Sequence, residues 1–164
     1  MHFQRRERCL FCDSIQQEMQ EENRVVDHNG EFIAFCPFAS RSPYELWVLP
    51  IRHSSSFEKD LTDQVCVRSL ASFLKPCLQR IEKISSILHF VIHTEPNLEA
   101  HKPTRDWWGT VPDDYHWHIE LHPDVEGERR YLGSEGFYFN PIPAEEAALV
   151  LRALEPEPGA APAP

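Results

Sequence analysis

A chain of 164 residues has room for one core of useful size, and 41% hydrophobic with 26% charged residues is ordinary for a globular domain. A formal net charge of −10 gives no general attraction to nucleic acid or anionic lipid, so a phosphate-bearing ligand must be met by a local site, which favours a small molecule over a polymer. No run of about 18 apolar residues is available to span a membrane, and the start, MHFQRRERCLFC, lacks the apolar stretch of a signal peptide.

Residues 9–22 (CLFCDSIQQEMQEE) read as a knuckle followed by a helix. Cys9 and Cys12 form a C-x-x-C, while Cys36, Cys66 and Cys77 lie in apolar stretches and read as core. Five cysteines, an odd number, without a signal peptide argue against a disulfide framework and for a reducing cytoplasm. Two strands, 25–28 and 32–35, flank Asn29-Gly30, a tight-hairpin signal. A third, 45–49 (ELWVL), stops at Pro50. A helix is expected to begin at Thr62 as N-cap, with Val67, Leu70, Phe73, Leu74, Leu78 and Ile81 on one face and Pro76 kinking its middle. Residues 90–94 (FVIHT) give a fourth strand, and a polar loop of about 95–114 carries Trp107 and Trp108. Residues 115–122 (YHWHIELH) give a fifth strand, 137–142 a candidate sixth, and 144–154 a short amphipathic helix. Residues 155–164 have the composition of a disordered tail. This order of elements is that of an α+β fold with an antiparallel sheet.

The chemistry concentrates on the fifth strand. With a period of two, His116, His118, Glu120 and His122 share one face, and Trp117, Ile119 and Leu121 share the other. An aligned ionisable row is either a wetted face or a face satisfied by metal or ligand. The C-x-x-C supplies two thiolates at a spacing suited to tetrahedral zinc, and two histidines would close the site. A redox role for the pair would want a thioredoxin-like βαβ context, which the pattern lacks. Among the other histidines, His28, His89 and His101 read as surface residues.

The segments CLFC, PFASRSPYELWVLPIRH, YHWHIELHP and GFYFNPIPAEEAALVLR follow one another in an order and spacing that resembles the C-terminal half of the galactose-1-phosphate uridylyltransferase family, within the histidine-triad superfamily. The likeness is nearest the branch of bacterial uridylyltransferase-like proteins and plant ADP-glucose phosphorylase, and it runs from about Cys9 to Arg152. It implies an α+β, HIT-like antiparallel half-barrel sheet with a long helix packed on one face. Residues 1–8 are then an extension, 9–154 the domain and 155–164 the tail.

The resemblance also assigns residues. It gives a structural zinc (Zn2+) to Cys9, Cys12, His53 and His116, and the nucleophile's position to His118. The latter would attack the α-phosphorus of a nucleotide sugar such as UDP-glucose, and exchange would follow with hexose 1-phosphate. Glu120 falls where the family usually has a Gln that donates to the phosphoryl group. His93 falls beside the nucleophile, and Arg41 and Arg52 are the local cations for phosphate. The segment 136–140 matches one that reaches toward a neighbouring subunit's hexose site.

Trp117 and Glu120, and the lack of an H-P-H motif, leave a second reading open. This is a non-catalytic, zinc-stabilised module in which His118 and Glu120 brace the zinc histidine. A phosphoramidate hydrolase of the histidine-triad type is weaker, because that class expects histidine at position 120. The expected partners are a separate N-terminal half-protein or a second copy of the chain.

Overall fold

The computed structural model describes residues 6–97, 109–125, 130–132 and 137–156. Residues 1–5 of the extension, His101, Trp107, Trp108 and 157–164 of the tail lie outside them. Helix α1 (Leu10–Glu21) comes first and is followed by β1 (Val25–His28) and β2 (Phe32–Phe35). The turn between these strands is local chemistry. The Asn29 side-chain oxygen accepts from the N–H groups of Glu31 and Phe32, and Gly30 takes φ +87°, which glycine adopts without a steric penalty.

Strand β3 (Leu46–Pro50) leads into the single turn α2 (Phe57–Asp60) and then α3 (Gln64–Glu82). The cap of α3 is Asp63, whose carboxylate accepts from the Val65 N–H. Thr62, the expected cap, donates its hydroxyl to the Lys59 carbonyl instead. Helix α3 continues through Pro76 as one element. The carbonyl this proline leaves without a helical donor belongs to Ser72, an exposed residue open to water. Strand β4 (Leu88–His93), the turn α4 (Val111–Asp114) and β5 (His118–Pro123) follow. β5 starts later than its sequence pattern suggests, because Tyr115 still caps α4 and the Trp117 N–H is taken by the Ser54 carbonyl. The sixth-strand candidate forms β7 (Phe137–Phe139), paired with β6 (Arg130–Leu132) in a separate two-stranded sheet. Helix α5 (Ala144–Ala153) closes the domain.

The five-stranded sheet runs β1-β2-β3-β5-β4, antiparallel throughout. One face is the main core. Ala34, Val48, Ile119 and Leu121 meet Leu70, Phe73, Cys77 and Ile81 of α3 and Ala144, Ala147, Ala148 and Leu151 of α5. Each fully buried aliphatic side chain there contributes about 1.5–3 kcal/mol, and trimming Leu121 to alanine costs about 2–5 kcal/mol. Half of the opposite face is covered by α1, through Ile15 and Phe11 on Ile33, Phe35 and Leu49. Over β4 the sheet is largely uncovered, whereas the β5 side chains are buried.

The two sheet edges differ. At β1, Arg152 of α5 donates to the Val25 carbonyl at 2.6 Å and the Glu22 carbonyl at 3.1 Å. Arg24, beside β1, is buried and pairs with Glu18 of α1 at 2.8 Å and Glu145 of α5 at 2.9 Å. At β4, Phe90, Val91 and Ile92 are 42%, 39% and 42% exposed. No strand lies beyond β4 among the described residues.

Candidate metal centre and adjoining cleft

Four side chains distant in sequence meet below the sheet end. Cys9 precedes the first turn of α1, and Cys12 sits in that turn. His53 follows β3 and His116 precedes β5. Cys12 Sγ lies 3.3 Å from His53 Nδ1 and 3.6 Å from His116 Nδ1, and Cys9 Sγ lies 4.0 Å from His116 Nδ1. Around one tetrahedral ion with bonds of about 2.0–2.3 Å, ligand atoms sit roughly 3.3–3.8 Å apart; both Cys12 distances fall in that range and the Cys9 distance is slightly longer. Both imidazoles are aimed by their other nitrogen. His116 Nε2–H donates to the Pro50 carbonyl at 2.9 Å, and His53 Nε2–H donates to the Pro112 carbonyl at 2.9 Å. Since a carbonyl only accepts, each Nδ1 is left with its lone pair toward the sulfurs.

Protonation agrees with this donor set. Burial pushes His116 down to about 4, so the ring is neutral near pH 7. Burial, and then the neighbouring Cys9, push the Cys12 thiol up to about 12. A reactive redox cysteine is shifted the other way. A thiol this reluctant to ionise becomes a thiolate when a cation takes the proton's place.

The rest of the row behaves differently. His118, Glu120 and His122 are all buried, at 6%, 6% and 8% exposure, so the polar face is not a wetted one. His118 is packed between Phe11 (ring centroids 4.6 Å apart), Trp47 (5.3 Å) and His93 (4.5 Å). Its Nδ1–H donates to the His116 carbonyl at 3.0 Å. Nε2 therefore carries the lone pair, and it lies 3.6 Å from Glu120 Oε1. Burial lowers the His118 pKa, so this ring too is neutral.

Glu120 is the hub. Its Oε2 accepts from the Arg41 guanidinium, and His122 Nε2 and His93 Nε2 lie 3.1 and 3.3 Å away. Burial alone would raise this carboxyl, but hydrogen bonding from His122 and the Arg41 charge outweigh it and hold it below the usual carboxylate range. Above the hub opens a cleft of about 330 Å³ lined by Arg41, Ser42, His89, Val91, His93, Glu120 and His122.

Of the expected phosphate-facing residues, Arg41 and His93 are thus brought together at Glu120. Arg52 is not among the residues lining this cleft. Its side chain is 82% exposed and lies 3.5 Å from Asp60, whose other oxygen takes the Trp117 indole N–H. His89, read as a plain surface residue, is exposed but lines the cleft.

Glu45 and Ser42, which the sequence did not single out, shape the loop bearing Arg41 together with Asn140. Glu45, 1% exposed, accepts from the Trp47 indole N–H at 2.8 Å and from the Arg41 backbone N–H. Ser42 Oγ lies 3.2 Å from His122 Nδ1. Asn140, at the end of the segment 136–140, donates to the Ser40 and Ser42 carbonyls of its own chain. The one available signal was Glu45, a lone charge opening an apolar strand.

No family model matches the chain. ADP-glucose phosphorylase of Arabidopsis thaliana is 29% identical over 155 residues, covering 92% of this chain and 39% of that protein. The crystal structure of the Arabidopsis thaliana enzyme with bound ADP-glucose superposes with a TM-score of 0.72 at 28% identity, over 94% of this chain and 46% of that one. Galactose-1-phosphate uridylyltransferase of Thermotoga maritima is 23% identical over 163 residues, covering 94% of this chain and 48% of that protein. A zinc-bound histidine triad family protein of Mycobacterium smegmatis shares the fold, with a TM-score of 0.57 at 16% identity over 88% of this chain and 91% of that one. The chain spans less than half the length of the curated relatives it matches. No helix among the described residues is long and apolar enough to cross a membrane. The chain is therefore a relative of the galactose-1-phosphate uridylyltransferase family, with the antiparallel sheet of the histidine-triad proteins and the size of one half of its longer relatives.

Proposed function

We propose that this chain takes part in nucleotidyl transfer between a nucleotide sugar and a hexose 1-phosphate, as one half of a two-part assembly. The observation that carries the reading is the His118 imidazole, which is 6% exposed and does not itself line the cleft but lies 3.6 Å from Glu120, which does. Its Nδ1 is committed to a carbonyl and its Nε2 is free of hydrogen. Nε2 attacks the α-phosphorus, the bond from that phosphorus to the hexose 1-phosphate oxygen breaks, and hexose 1-phosphate leaves. A second hexose 1-phosphate then attacks the nucleotidyl-histidine through a phosphate oxygen, and Nε2 regains its lone pair. Glu120 Oε1 faces the positive charge the ring carries in between. Arg41 and His93 meet the phosphate of hexose 1-phosphate. The relatives' names, one for ADP-glucose and one for a uridylyl donor, support a nucleotide sugar as the substrate class.

Cys9, Cys12, His53 and His116 hold a structural Zn2+, which anchors the start of α1 to the sheet. Four protein ligands leave no open position, so this ion supplies stability and not a Lewis acid. The exposed β4 edge supports an N-terminal half-protein or a second copy as partner.

The enclosure of His118, with Nε2 against a carboxylate, favours a second reading. In it the chain is a zinc-stabilised module and a partner brings the nucleophile. One experiment separates the two. The chain is incubated with UDP-glucose or ADP-glucose labelled in the nucleotide, quenched in base and separated from free label. Label on the wild type and none on His118→Ala supports the first reading. Label no higher than that variant's background removes His118 as nucleophile and leaves the second.

A further inference from the structure

The only Arg or Lys among the residues lining the cleft, Arg41, already faces two carboxylates of the same chain, Glu120 in direct contact and Glu45 at 3.7 Å. The Arg41–Glu120 pair is unequal. Arg41 has its backbone N–H pinned by Glu45, yet its side chain is 55% exposed. Glu120 is 9% exposed in its side chain and stays flanked by His93, His118 and His122 if Arg41 leaves. A guanidinium on a fixed base with a solvent-facing head can exchange partners, whereas the carboxylate cannot follow it.

We infer that Glu120 is an internal occupant of the cleft's anion position, and that the cleft admits ligands by exchange at Arg41. This rests on the phosphate-handling part of the reading above. It adds a selectivity that reading does not contain. To displace the contacting Glu120 carboxylate, with Glu45 also close by, a ligand needs more charge than a carboxylate. A phosphomonoester dianion has it, and a phosphodiester or carboxylate monoanion does not. The favoured class is therefore a terminal phosphate, whether inorganic phosphate or the phosphate of a sugar, with its nonbridging oxygens forking onto the guanidinium.

The test is binding by titration calorimetry on the full chain near pH 7.5, with four probes: inorganic phosphate, glucose 1-phosphate, dimethyl phosphate and acetate. Both dianions are expected to bind and both monoanions to bind at least about tenfold more weakly. Binding of inorganic phosphate alone or of both dianions supports the proposal, and binding of glucose 1-phosphate alone would mean that the sugar, not the charge, is read. Glu120→Gln, which keeps the shape and removes the charge, is expected to tighten phosphate about tenfold or more. Arg41→Ala, a change at an exposed side chain, is expected to abolish the preference for dianions. Equal affinity for phosphate and dimethyl phosphate, or no gain in Glu120→Gln, or unchanged phosphate binding in Arg41→Ala, would overturn it. None of these readouts needs turnover, so they stand apart from the labelling of His118.

Discussion

His116 and His118 are two residues apart and have opposite fates. His116 ties Nε2 to a carbonyl and turns Nδ1 to two sulfurs, while His118 ties Nδ1 to a carbonyl and turns Nε2 to a carboxylate. Both are neutral and both are buried. What separates them is which ring nitrogen the backbone claims and what waits opposite the other one. Sulfurs make the first a ligand that wants a cation. A carboxylate that lines the cleft stands opposite the second.

That contrast can be broken at either end. The largest effect is expected at the first histidine. His116→Ala or Cys12→Ser should take the metal from about one ion per chain to none and abolish the cooperative melt. Structural zinc contributes about 10–16 kcal/mol in small peptides, which is as large as the whole stability of a typical domain. Metal analysis with circular dichroism checks this, and a retained sharp transition in the metal-free variant would contradict it.

Acid should act next. His116 falls from 6.5 unfolded to about 4 folded, so between these values the unfolded chain binds more protons. The contribution is fully present above about pH 6.5 and is lost as the pH falls toward about 4, roughly 3 kcal/mol in all. Metal release has the same sign, because protons compete for the same nitrogens and sulfurs. Denaturant titrations from pH 7.5 to 4.5 should show the decline, and a flat profile would mean that His116 is not held neutral.

A smaller effect is expected at the second histidine. His118→Ala should keep the metal and lose about 2 kcal/mol through the cavity left between Phe11, Trp47 and His93. Loss of metal in this variant would join the two histidines into one site. The least is expected at Arg52→Ala, a change of at most about 0.5 kcal/mol with nucleotide labelling unchanged, because the Arg52 side chain is 82% exposed and Asp60 keeps the Trp117 indole N–H.

Much of the frame was legible because it is local. The Asn29-Gly30 turn, the alternation along 118–122 and the apolar stripe of α3 each follow from a few neighbouring residues. The convergence of Cys9, Cys12, His53 and His116 was reached by resemblance, and the geometry supplies its physical account. The choice of ring nitrogen was not legible, since it depends on where the Pro50 and Pro112 carbonyls fall. Nor was the fate of the two arginines. Arg41 and Arg52 look alike in sequence, but the loop pinned by Glu45 and Asn140 delivers only the first to Glu120. The cap of α3 slipped by one residue because Thr62 found a carbonyl in the preceding turn.

The uneven edges of the sheet bias where another strand would add. Arg152 already donates to the Val25 carbonyl at the start of β1, whereas β4 presents Phe90, Val91 and Ile92 with no neighbour strand among the described residues. An edge whose backbone is partly engaged and flanked by a helix offers an incoming strand less than a bare one, so pairing is favoured at β4.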